Sequence, residues 1–455
     1  MSQYVADGAA PVLIEHYDQL VSYFETACKP RASWHIGTEY EKVAVWVTDG
    51  RAVPFTGGIE EVLRRLAERY EWEPLVEDGR IVALHGAKAS ITLEPGGQLE
   101  LSGEQCETVH CARTEFVEHV RQIVTVGDEL GIAFLGLGMQ PASRLEEIEW
   151  VPKRRYAIMA PYMLRVGSLG QRMMKQTATV QVNLDYASER DAMTKLRVGM
   201  GLAPLLTAMF ANSPLSDGRL NGFLSFRGHI WTDTDAARCG LLPFVFNDSC
   251  SFTDYVEYAL DVPMYFIVRD GRWADMTALT FRRFWKEGYQ AERATVADWN
   301  MHLTTLFPEV RLKGYIEVRS IDSQPPDLML AAPALIKGIF YEDDCLLATW
   351  DLVKRWSWEE RVQLYHAVHR QALQAVIRGI EVRELARALV AIAETGLERQ
   401  AQRAGGESEA QHLERLRDLM RRGRCPADLV IEKWNGIWDR DLRRLVEGSA
   451  YRLVA

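Results

Sequence analysis

The chain has no long hydrophobic run: its longest, Val198–Ala211, is too short to span a bilayer and contains Pro204. The opening MSQYVADGAAPVLIEHY lacks a basic segment followed by an apolar one, so nothing in it predicts export. Cysteine is sparse. The seven (Cys28, Cys106, Cys111, Cys239, Cys250, Cys345, Cys425) are scattered, and none forms a CxxC pair. That excludes a zinc cluster and predicts reduced cysteines in a cytoplasmic protein. Positive charge is in deficit, with a net charge of −10 and a pI near 5.6, which argues against binding driven by nucleic-acid phosphates. Neither GxxxxGK[ST] nor a GxGxxG after a strand occurs. Any nucleotide must therefore be held by side chains and metal rather than by a glycine-rich loop.

What is present is a set of strands with acidic faces. Trp34–Val47 alternates, as a strand with two unlike faces does. Glu39 and Glu41 share one side with Val43 and Val45, while Tyr40, Lys42 and Ala44 point the other way. One such pair alone fits a solvated face beside basic neighbours better than a metal site, because ion-pair networks outnumber active sites. Three further stretches repeat the pattern. Ser90–Ser102 places Glu94 before a Pro95-Gly96-Gly97 turn or bulge, followed by Gln98 and Glu100. Thr179–Tyr186 aligns Gln181, Asn183 and Asp185, and Gly314–Ile321 aligns Glu317 with Arg319. Four strands of this kind predict one sheet whose polar face is an active site. Carboxylate oxygens are hard ligands that suit Mg²⁺ or Mn²⁺, and metals among carboxylates point to phosphoryl chemistry.

Around these strands the spacing predicts helices over 11–29, 57–70, 107–130 and 189–211, an edge-like stretch at 80–84 and a strand over 262–268. Val151–Gln176 reads as an irregular basic loop carrying Lys153, Arg154, Arg155, Arg165, Arg172 and Lys175. Ser225–Asp235 is polar and aromatic, and Arg227, Trp231 and Arg238 are suited to gripping a small anion. From about Trp356 the chain is mostly helical, broken near Ala404–Gly406. The division expected is a catalytic domain over 1–355 and a helical region over 356–455 packed on it.

GTEYEKV, SITLEPGGQLELSG, TVQVNLDY, RGHIWTDTD, CGLLPFVF, YALDVPMYFIVRDG, WNMHLTTLFPEVRLKGYIEVRSID and the DD of YEDD together resemble glutamate–cysteine ligase, in the group shared by plants and some bacteria. The resemblance runs from about residue 30 to 350 and weakens beyond. It implies an α+β, glutamine-synthetase-like fold: a curved, largely antiparallel sheet bearing the active site, with helices outside. It also implies a reaction, in which ATP phosphorylates the γ-carboxylate of glutamate and the amine of cysteine displaces the phosphate. Carried over, Glu39, Glu41, Glu94, Glu100 and Glu317 become metal ligands for Mg²⁺ or Mn²⁺, and Arg319 and Arg227 catalytic residues. Arg227, Trp231, Arg238, Gln181, Asn183, Arg155 and Tyr156 become substrate contacts. The partners implied are glutamate, cysteine and ATP, with neither nucleic acid nor membrane, in a monomer or homodimer. The resemblance also points to disulfide control in plant members, for which no pairing is legible here. A related ligase using another amine would share every metal and ATP residue. A two-metal phosphatase or nuclease is disfavoured by charge and by the lack of a His/Asp ligand mix, and a binding protein without catalysis by the clustered carboxylates.

Overall fold

The structure, a computed structural model, describes residues 12–453. Its centre is β1 (Ile36–Trp46), on which a nine-stranded sheet is built. The first helix, α1, covers Asp18–Glu25 only, shorter than the spacing predicts, and residue 11 lies outside the described residues. After β1 come α2 (Glu60–Arg69), β2 (Glu73–Glu77), β3 (Arg80–His85), β4 (Ser90–Leu93), β5 (Leu99–Ser102), α3 (Val109–Leu130) and β6 (Ile132–Leu135). Helices α4 (Arg154–Val166) and α5 (Gly170–Gln176), strand β7 (Thr179–Leu184), and helices α6 (Glu189–Met209) and α7 (Phe226–Trp231) follow. The sheet is completed by strands Val310–Leu312 and Ile316–Asp322. Its order is Val310–Leu312, Ile316–Asp322, β7, β1, β5, β4, β3, β2, with β6 on the far half of β1. Every pairing in it is antiparallel.

Alternation gives the sheet its two faces. Ile36, Tyr40 and Ala44 of β1, Val180, Val182 and Leu184 of β7, and Ile316 and Val318 all enter the main hydrophobic core on one side. Helix α3 packs there through Phe116, whose ring lies 4.9 Å from that of Tyr40, and α6 covers the Ile316–Asp322 strand with an almost wholly buried surface. An apolar face of this extent, closed by helices, leaves the other face to the polar row. The C-terminal helices are not a separate body: Leu413, Leu416, Leu419 and Met420 belong to that same core. Val430, Trp434 and Leu445 cover the Val43 and Val45 end of β1. Gly405, with φ +66°, ends the helix Val382–Ala404 where the sequence places a break.

Three local expectations need correction. Residues 151–176 are largely helical: Tyr156, Tyr162 and Met163 bury one side of α4, a stripe masked by its arginines and by Pro161. The stretch at 80–84 is interior, because β2 lies outside it as the edge. Cys106 and Cys111 are joined in a disulfide, so the cysteines are not uniformly reduced.

Candidate active site

Over the polar face lies a cavity of about 660 Å³. Strand register assembles its floor. Glu41 pairs with Glu100 across β1 and β5, and Glu39 pairs with Gln181 across β1 and β7. Glu94 is delivered by the turn after β4. Gly97 there has φ +84°, and a Cβ on Gly96 would lie 2.1 Å from the Lys175 carbonyl oxygen, so the turn demands both glycines. Gln98 fastens it by donating to the carbonyls of Met174 (3.2 Å) and Thr177 (2.8 Å).

Glu41, Glu94 and Glu100 each bring a carboxylate oxygen within 4.8 Å of the others. Burial, then the charges of Glu94 and Glu100, push the Glu41 carboxyl well above its ordinary range, although the Thr179 N–H donates to it at 2.9 Å. Glu39 is raised by burial, then by Glu317 and Glu100, and accepts from Gln181 (2.8 Å) and Asn183 (3.0 Å). Crowded buried carboxylates of this kind fit a hard divalent cation, which removes the repulsion that raises them.

Glu317 has the opposite surroundings. Arg311 grips it with two hydrogen bonds of 2.6 and 2.9 Å, Arg319 donates at 3.0 Å, and the Lys313 ammonium is 3.4 Å away. Burial alone would raise Glu317, but these three cations hold it well below the usual carboxylate range. It does not border the cavity, so the five expected metal ligands do not form one set.

Cationic side chains do border it: Arg227, Arg311, Lys313 and Arg319 on one side, Lys153, Arg154 and Arg155 on another. Arg319 donates to Gln181 and lies 5.8 Å from the Trp231 ring. Arg227 is buried and donates to the Arg319 carbonyl at 2.9 Å. Burial, with Arg155 adding to it, brings Lys153 down to about 7, and its Nζ donates to the Leu93 carbonyl at 2.8 Å. Tyr156 donates to that carbonyl at 3.1 Å, and Arg155 lies 5.0 Å from the Tyr156 ring. Burial lowers Lys313 to about 8.

Arg238 is a correction. It is fully buried and does not border the cavity. Its donors go to Asp235 (2.5 Å), Thr305 (3.1 Å), Pro263 (2.7 Å) and Tyr162 (3.3 Å). It ties the segment after α7 to α4 and to the backbone at Pro263 and Thr305, and does not border the cavity. Asn183 likewise acts from behind, through Glu39. Arg311 and Lys313 were missed by the sequence reading, although their spacing of two in VRLKG repeats the signal used for the other strands.

Residues 35–448 match the family described as Glutamate-cysteine ligase family 2. Chloroplastic glutamate–cysteine ligases of Brassica juncea and Arabidopsis thaliana are 45% and 44% identical to this chain, each over 95% of it and over 84% and 83% of themselves. Glutamate–cysteine ligase B of Oryza sativa subsp. japonica, also chloroplastic, is 43% identical over 95% of this chain and 87% of its own. These relatives overturn the expected cytoplasmic placement. Among solved structures, a glutamate–cysteine ligase of Francisella tularensis in complex with AMP has the same fold, with a TM-score of 0.55 at 13% identity over 93% of this chain and 90% of that one. Among the described residues no helix is long and apolar enough to cross a membrane. The chain belongs to the glutamate–cysteine ligase family 2.

Proposed function

We propose that this cavity activates the γ-carboxylate of L-glutamate with ATP and joins it to the amine of L-cysteine, giving γ-glutamylcysteine, ADP and phosphate, the first step of glutathione synthesis. The observation that carries the site assignment is the meeting of three carboxylates, Glu41, Glu94 and Glu100, opposite a wall of cations. A carboxylate is a poor electrophile, and phosphorylation supplies the leaving group that the amine displaces. Glutamate and ATP are both anionic, so a site for both needs positive charge on two sides.

Glu41, Glu94 and Glu100, with Glu39 beside them, would hold Mg²⁺ or Mn²⁺, which when bound neutralises phosphate charge. Arg227 and Arg319 hold the oxygens of the transferring phosphoryl group or of the substrate carboxylate, with Trp231 as an apolar wall between them. Arg155 and Tyr156 close the side formed by α4, where Lys153 is fastened to the Leu93 carbonyl. Gln181 orients Glu39 and Arg319 together, since it donates to one and accepts from the other. Residues 1–355 carry this chemistry and 356–455 support it. The catalytic unit is a monomer or a homodimer.

The test is ADP release from ATP and Mg²⁺ with glutamate, with and without cysteine and with a panel of other amines. Strong stimulation by cysteine, with γ-glutamylcysteine as product, is expected. Preference for another amine would move the acceptor, and ADP release without glutamate would overturn the reading.

A further inference from the structure

Behind Arg227 lies a buried carboxylate that does not line the cavity over the polar face. Asp322 ends the Ile316–Asp322 strand and is 1% exposed. One of its oxygens accepts from the Asn212 N–H (2.8 Å) and the Ser213 hydroxyl (2.7 Å). The other accepts from the Ser225 hydroxyl (3.0 Å) and faces an Nη1 of Arg227 at 3.9 Å. The two serines pass this on to α7. The Ser213 Oγ accepts from the Arg227 N–H at 3.0 Å, and the Ser225 Oγ accepts from the Gly228 N–H at 3.1 Å. A hydroxyl has one proton. An acceptor-only carboxylate takes that proton from both serines and so turns their lone pairs toward the first turn of α7.

We propose that Asp322 is the positioning residue for Arg227, fixing both the start of α7 and the direction of its guanidinium toward the oxyanion of a substrate. This rests on the reading that Arg227 grips such an oxyanion, a carboxylate of glutamate or a phosphate of ATP. Both oxygens of Asp322 accept, and one faces a cation. A carboxamide of the same size cannot serve both: its NH₂ would meet either the Asn212 N–H or Arg227.

The experiment is a double-mutant cycle on the full chain with D322N, R227K and the pair, measuring kcat and the KM values for glutamate, ATP and cysteine, together with Tm. R227K is expected to raise one KM, for glutamate or for ATP, and which one rises identifies the oxyanion. D322N is expected to raise that same KM about tenfold, with a smaller change in kcat, and the double variant to go little beyond R227K alone. A purely structural Asp322 would instead lower Tm and kcat and leave every KM unchanged, which overturns the proposal, as does a double variant in which the two effects multiply. If R227K leaves the KM values for glutamate and ATP unchanged, the reading of Arg227 fails and the proposal falls with it. If D322N does not fold, S213A and S225A carry the test. Each is expected to raise the same KM about threefold, and unchanged values overturn the proposal.

Discussion

Glu41 and Glu317 are the same residue type on the same face of one sheet, and both are buried. Glu41 sits among carboxylates, and its proton is held well above the ordinary range. Glu317 sits among Arg311, Lys313 and Arg319, and its proton is lost well below it. Burial acts alike on both, so the neighbours set the sign. The acidic end gathers carboxylates that repel one another, a charge that a bound cation would neutralise. At the basic end the charge of Glu317 is met inside the protein, and this one anion anchors three cations that line the cavity.

The largest expected effect comes from breaking the basic end. E317Q leaves three buried cations without their anion, and removing one partner of a buried ion pair costs about 3–5 kcal/mol. Urea unfolding should show that loss. A variant as stable as the wild type would mean that Arg311 and Lys313 reach solvent or one another without cost. At the acidic end the prediction reverses. E41Q should lower kcat about 100-fold or more, through loss of a metal-facing carboxylate, while Tm stays level or rises because a repulsive charge is gone. Mg²⁺ should raise the wild-type Tm more than that of E41Q. Equal Mg²⁺ shifts in both would take Glu41 out of the metal site.

The contrast between the two ends is also where the sequence stops being legible. Alternation in WHIGTEYEKVAVWV and TVQVNLDY shows which residues share a face, because the period of two is local. It does not show that Glu41 lies opposite Glu100 while Glu317 lies opposite Arg311, since register is a long-range fact. Arg238 was misplaced for a similar reason. A guanidinium three residues after Asp235 can turn back to it or outward to a ligand, and only the burial of this segment in the fold decides. In 151–176 the arginines hid a helical stripe whose apolar members are few.

A pH series on the metal-free protein sharpens the comparison. A carboxyl raised in the folded state contributes stability that is full below its ordinary value of 4.5 and lost as pH climbs through the raised value. A lowered one contributes above 4.5 and loses its contribution as pH falls through the lowered value. Relative to wild type, E41Q should therefore gain stability as pH rises from 4.5 toward neutrality, whereas E317Q should lose it as pH rises toward 4.5 from below and run level above 4.5. Chemical denaturation at several pH values reads both slopes. Parallel curves for the two variants would show that neighbours do not set the sign.

The smallest effect should come from a third glutamate that, like Glu317, is held by arginines, but in different surroundings. Glu61 lies in the first turn of α2, bridged to Arg64 and Arg65 at 2.6 and 2.7 Å, and those hydrogen bonds bring its carboxyl down to about 2. Its stabilisation is present above pH 4.5 and would fade only as pH falls through about 2. Yet its side chain and that of Arg64 reach water. Solvent screens the pair, each partner can hydrate when the other leaves, and only the helix N-terminus adds to the attraction. E61Q should therefore cost no more than about 1 kcal/mol, and raising the salt concentration should erase most of that. A loss on the scale of E317Q, persisting in high salt, would show that arginine contacts alone, rather than arginine contacts sealed from water, explain the basic end of the sheet.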